Sequence, residues 1–126
     1  MAKGDKQGKF SFKSTSVTYD EAPGGGGTVR INLDGEATGF GTVMGTMTLT
    51  VDAPGSQTGR STWAGEAYLP NGDVVQGTGA GFFERSGKHK WRIRSVVRTS
   101  TGGMMLSDGT ISLEGRSYKG TLTEWA

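Results

Sequence analysis

Glycine recurs so often in this chain that long helices are excluded before any other pattern is read. It supplies 23 of 126 residues, more than twice the usual ~7%, and each one inside a helix or strand costs roughly 0.5–1 kcal/mol. Only two glycine-free windows exceed a dozen residues, 9–23 and 88–101. Both alternate with period two and are rich in Thr, Ser, Val and aromatics, the signature of half-buried strands. Leu, Ile, Val and Phe together number 22, so the core must be thin. That share falls under the ~20% line associated with disorder, but the net charge of +2 lacks the high value disorder also requires.

Eight strands are predicted, at about 8–19, 28–38, 41–52, 60–69, 74–85, 88–100, 104–114 and 116–125. Phe10 and Phe12 share one face of the first, and Val29, Ile31 and Leu33 one face of the second. Between strands lie turn formers: Pro23 with Gly24 to Gly27, Asp52-Ala53-Pro54-Gly55, Pro70-Asn71-Gly72-Asp73, Ser86-Gly87, Gly102-Gly103 and Glu114-Gly115. Asn71-Gly72 is the strongest hairpin signal, because a type I′ turn needs positive φ at both central residues. Connections this short leave no room for crossover helices, so successive strands should pair antiparallel. An open eight-stranded sheet would expose two edges. A single all-β up-and-down barrel spanning 1–126, with 1–7 as a flexible N-terminus, is the expected fold, and a two-sheet sandwich is its rival.

The absence of cysteine excludes disulfide frameworks, thiolate metal sites and thiol nucleophiles. No stretch approaches 18 apolar residues, so a helical membrane span is excluded, and the charged opening MAKGDKQGKF lacks a following apolar run. A cytoplasmic location, with no membrane partner, is the expectation. A single histidine and unclustered carboxylates point to no metal centre, and no nucleotide, zincin or serine-hydrolase motif points to a cofactor or a known mechanism. Gly77-Thr78-Gly79-Ala80-Gly81 lacks the spacing and following helix of a dinucleotide loop, and reads as sheet glycine.

The inward register carries the candidate site. Met47, Trp63, Phe83, Trp91, Leu113 and Leu122 would wall a cavity, with Ser95 among its few polar residues. Gly45, Gly65, Gly77, Gly79, Gly81 and Gly120 share that register; they read either as points where strands coil to close the barrel or as space left for a ligand. Tyr118 and Glu124 are the candidates for acid–base work on a buried substrate, against the plainer reading that Glu124, at the chain end, is solvated. Ser14, Ser16, His89 and Arg116 also share the register, with Arg85 at a strand end. A one-residue slip would bring Glu66 and Tyr68, or Glu84, inside instead. Lone His89 between two lysines reads as a rim residue.

Six of the fourteen cations fall within 85–98 with no acid among them. Lys88, Lys90, Arg92, Arg94 and Arg98 share one face and could bind phosphate or another anion. Interleaved stacking aromatics are missing, so nucleic acid is not the expected partner, and acids on adjacent strands could pair with this stripe. A homo-oligomer contacting through it, or through Thr42, Thr46, Thr48 and Thr50, is the alternative role.

Gly8-Lys9-Phe10-Ser11-Phe12, Tyr19-Asp20-Glu21, Asn32-Leu33-Asp34-Gly35-Glu36-Ala37-Thr38-Gly39 and Gly45-Thr46 give the first ~50 residues a further feature. This opening resembles small bacterial proteins of the allene oxide cyclase barrel type. The resemblance implies an eight-stranded barrel with a lumen for a hydrophobic molecule, in some relatives a substrate folded for cyclisation. It assigns no catalytic residue here. The expected function is thus binding of a small, largely apolar molecule in the lumen, or metal-independent isomerase or cyclase chemistry upon it.

Overall fold

Eight strands follow one another in chain order in the computed structural model, which describes residues 7–22, 24–53 and 55–125. They are β1 (Gln7–Glu21), β2 (Gly27–Ala37), β3 (Gly41–Val51), β4 (Thr58–Tyr68), β5 (Val74–Gly87), β6 (Lys90–Thr99), β7 (Met104–Ser112) and β8 (Ser117–Glu124). Each pairs antiparallel with the next, and β8 returns to β1 through Gly8↔Leu122, Phe10↔Gly120 and Phe12↔Tyr118. The sheet is therefore a closed barrel, and the sandwich alternative is discarded. Closure removes the exposed edges that a sheet of this size would otherwise present. No helix long and apolar enough to cross a membrane occurs among the described residues.

The strands match the periodicity to within a few residues, with β1 running on to Glu21 and β7 stopping at Ser112. Residues 1–6 of the expected flexible N-terminus lie outside the described residues, as do Pro23 and Pro54, while Gln7 is already paired with Thr123. A bulge between Ser14 and Ser16 inserts one residue into β1 and moves everything beyond it to the opposite face. Ser16, expected inside, consequently points outward, where its hydroxyl accepts from Asn32 Nδ2 at 2.7 Å. Pairing with β8 ends at Lys13↔Ser117, so Ser16–Glu21 is hydrogen-bonded only to β2.

The period-two pattern turns Phe10, Phe12, Ile31, Leu33, Met47, Leu49, Phe83, Ile93, Ile111 and Tyr118 into one buried core. The barrel has two unlike ends. The β1–β2, β3–β4, β5–β6 and β7–β8 connections lie at one, and the β2–β3, β4–β5 and β6–β7 connections, with the start of β1 and the end of β8, lie at the other. At the first end Ile93 is 0% exposed and the Phe83 ring lies against Gly59. Midway, Phe12 reaches from β1 to stack on Trp63 of β4, with ring centroids 5.7 Å apart and planes 6° from parallel. Phe10 meets Tyr118 edge-on at 4.8 Å. Aromatic pairs of this kind are worth about 0.5–1.5 kcal/mol each beyond burial.

Candidate functional site: a hollow at one end of the lumen

Above this aromatic layer, toward the end where β1 begins and β8 stops, the interior is not filled. A cavity of about 80 Å³ remains, walled by Phe10, Phe12, Met47 and Trp63, by Val43, Ala67, Val75 and Val97, and by Tyr118 and Leu122. Partly exposed Phe40, Thr99 and Met105 complete its rim. The lining is almost entirely carbon, as small-molecule sites usually are. By comparison, an apolar cavity of ~150 Å³ in another protein takes up benzene.

The glycines explain where the space is and is not. Alanine at Gly45 would place its Cβ 2.5 Å from two indole carbons of Trp63, and at Gly65 2.7 Å from the same ring. These two glycines are the floor on which Trp63 lies. At Gly109 the would-be Cβ meets Phe10 and Tyr118 at 2.6 and 2.7 Å. Gly79, Gly81 and Gly120 are crowded by the backbone of neighbouring strands, as close coiling requires. Gly77 alone among the inward glycines is open: its nearest neighbour is Val97 Cγ1 at 3.7 Å, and the Trp63 Nε1 edge faces it at 4.0 Å.

Four hydroxyls border the hollow: Ser95, Thr99, Ser107 and Tyr118. Tyr118 is 2% exposed; burial pushes its phenol up to about 12, against a smaller downward pull from the Ser107 hydroxyl. It is protonated throughout the physiological range. Ser95, directly opposite Ser107 on β7, is 7% exposed, and its Oγ has no hydrogen-bond partner among the described residues. A buried hydroxyl left so costs about 1–3 kcal/mol. Ser61 Oγ is also unpartnered but does not border the hollow.

Of the residues singled out from sequence, Met47, Trp63, Ser95, Tyr118 and Leu122 are gathered around this cavity. Phe83 and Trp91 face inward but lie on strand segments in the packed half, away from it. Leu113 is not inside at all: β7 has ended, and it is 46% exposed in the turn to β8, its amide donating to the His89 carbonyl at 3.0 Å. Glu124 keeps the inward register opposite Met105, yet as the last residue of β8 it passes the rim into solvent. Phe10, Phe12 and Ser107 were missed as site residues. The phenylalanine pair was visible in the alternation, whereas the Ser95–Ser107 pair exists only once strand register is known.

The possible slip does not occur. The Glu66 carboxylate is held outside, accepting from Tyr68 Oη at 3.0 Å and Gln76 Nε2 at 3.3 Å, and Glu84 accepts from Arg94 Nη2 at 2.8 Å. His89 and Arg116 have positive φ in turns at the packed end, and His89 Nδ1 lies 2.9 Å from Glu114 Oε1. On the outer face of β6, Arg92 donates through Nε and Nη2 to both oxygens of Asp108, at 2.9 and 2.6 Å. Its hydrogen bonds hold the Asp108 carboxyl below the ordinary range. Two of the five cations proposed for anion binding are thus engaged by acids on neighbouring strands; Lys88, Lys90 and Arg98 remain exposed. Among the described residues no three His, Asp or Glu side chains gather as metal ligands. No protein-family model, curated protein or solved structure matches the chain.

Proposed function

We propose that this barrel binds a small, largely apolar molecule in the open half of its lumen. The observation that carries the reading is the carbon-lined hollow of about 80 Å³ beside unoccupied Gly77. A guest of a few heavy atoms fits within it, and a longer one would extend past Phe40 and Leu122. The resemblance to allene oxide cyclase barrels implies the same kind of lumen and adds to this reading. An isomerase or cyclase working here would act by shape and orientation. The lining offers hydroxyls, Tyr118 holds its proton, and the carboxylates of Glu66 and Glu124 are turned or carried away.

The test is a titration of the protein with n-pentane, followed through methyl resonances by NMR. Saturable shifts are expected at Val43, Met47, Val97 and Leu122, with Ile93 and Ile111 unmoved, and Gly77→Leu should abolish them. Absence of any saturable shift, or equal binding by Gly77→Leu, would remove the proposal.

A further inference from the structure

Among the described residues, the one buried hydroxyl bordering the hollow without a partner says what kind of guest fits. Ser95 sits low on its wall: along β6 the next inward residue on one side is fully buried Ile93, and on the other Val97 and Thr99 climb to the rim. Between Ser95 and the rim the described polar side-chain groups are Thr99, the Trp63 Nε1 edge beside Gly77 and the Ser107–Tyr118 couple, while the Glu66 carboxylate turns away to Tyr68 and Gln76. The Ser95 hydroxyl therefore has a free donor and free lone pairs at the bottom of a carbon-lined shaft. Water or a ligand oxygen can satisfy it; no group of the described residues does.

Among the described residues no Lys, Arg or His contributes to the lining. An ionised carboxylate or phosphate brought to Ser95 would be buried without a counter-charge, which is strongly unfavourable. We infer that the lumen selects a neutral molecule with one terminal oxygen, an alcohol, aldehyde or ketone, which enters oxygen first and hydrogen-bonds Ser95 Oγ. Its hydrocarbon part then fills the space beside Gly77 and points out of the barrel. This inference rests on the lumen reading above and adds to it a polarity and a direction.

Probes of equal heavy-atom number isolate the claim: n-pentane, 1-butanol, butanone and propanoate, each titrated into the native protein, Ser95→Ala and Ser107→Ala. Ser95→Ala should weaken 1-butanol and butanone by about two- to tenfold, the range of one net hydrogen bond. The same substitution should leave n-pentane unchanged or bound more tightly, because an unsatisfied hydroxyl has gone. Ser107→Ala serves as the control and should not separate the oxygen-bearing probes from the hydrocarbon. Propanoate at neutral pH should not compete with any of them.

If Ser95→Ala changes pentane, butanol and butanone alike, or if propanoate binds as well as butanone, the inference is overturned while lumen binding stands. If no probe binds the native protein, the lumen reading itself falls. Should Ser95→Ala fail to fold, Ser95→Thr, which keeps the hydroxyl and narrows the shaft, must retain the preference of butanone over pentane relative to a Gly77→Ala variant. Loss of that preference in Ser95→Thr would count against the assignment equally.

Discussion

At the packed end of the lumen Ile93 is wholly buried and the Phe83 ring is pressed onto Gly59. At the other end Gly77 faces inward with no atom within 3.7 Å of where a side chain would begin. Both regions are built from inward residues of the same eight strands, and the two ends share an apolar lining. What differs is how the glycines are used. At Gly59 and Gly109 the space is taken by the ring of Phe83 and by those of Phe10 and Tyr118; at Gly77 the nearest ring edge, Trp63 Nε1, stops 4.0 Å away. A small barrel has an interior just wide enough for its side chains, so one uncovered glycine is enough to leave room for a guest.

The comparison breaks most readily at Ile93. Ile93→Ala should cost about 2–5 kcal/mol in denaturant unfolding, because the close-packed half cannot collapse onto the void. Met105→Ala, at the rim, should cost well short of that; equal losses would mean the two halves are packed alike.

The hollow half carries its own signature in alkali. Burial moves the Tyr118 phenol from 10.0 to about 12, so the folded chain favours the protonated form. That contribution is complete below pH 10 and is lost as pH rises from 10 to 12, amounting to roughly 3 kcal/mol. Denaturation midpoints should fall across this window in the native protein and much less in Tyr118→Phe. A parallel fall in both would place the titrating group elsewhere.

The smallest effect is the sharpest discriminator between the two kinds of glycine. Gly45→Ala should destabilise by about 1–3 kcal/mol, since its methyl collides with Trp63. Gly77→Ala should stabilise by about 0.4–1 kcal/mol through the unfolded chain alone, as no neighbour objects. Thermal melts of the two variants decide it, and a loss at Gly77 would show that its space is not free.

Strand existence and face were legible because period two is a local property, expressed within a few residues. Height along the barrel axis was not. Trp63, Ser95, Phe83 and Trp91 all alternate inward, but only pairing across strands places the first two beside the hollow and the last two in the packed half. The inserted residue near Thr15 likewise turned Ser16 outward without a local signal, since bulges are set by the partner strand. The dual reading of the glycines resolved residue by residue: coiling or aromatic cover at Gly45, Gly65, Gly79, Gly81 and Gly120, open space at Gly77. The unpartnered state of Ser95 depends on what every surrounding strand brings or fails to bring to it.

The seam between β1 and β8 joins Phe12 to Tyr118 and Gly8 to Leu122, positions more than a hundred residues apart. Bringing such distant segments together must overcome loop-closure entropy before any reward arrives. The strands can therefore zip in chain order from β1 to β8, yet the wall of the hollow supplied by β8 meets β1 only in the last pairing. Until that pairing forms, the β1 edge carrying Phe10 and Phe12 stands bare, which makes the unclosed sheet most vulnerable to sticking just before the barrel is complete.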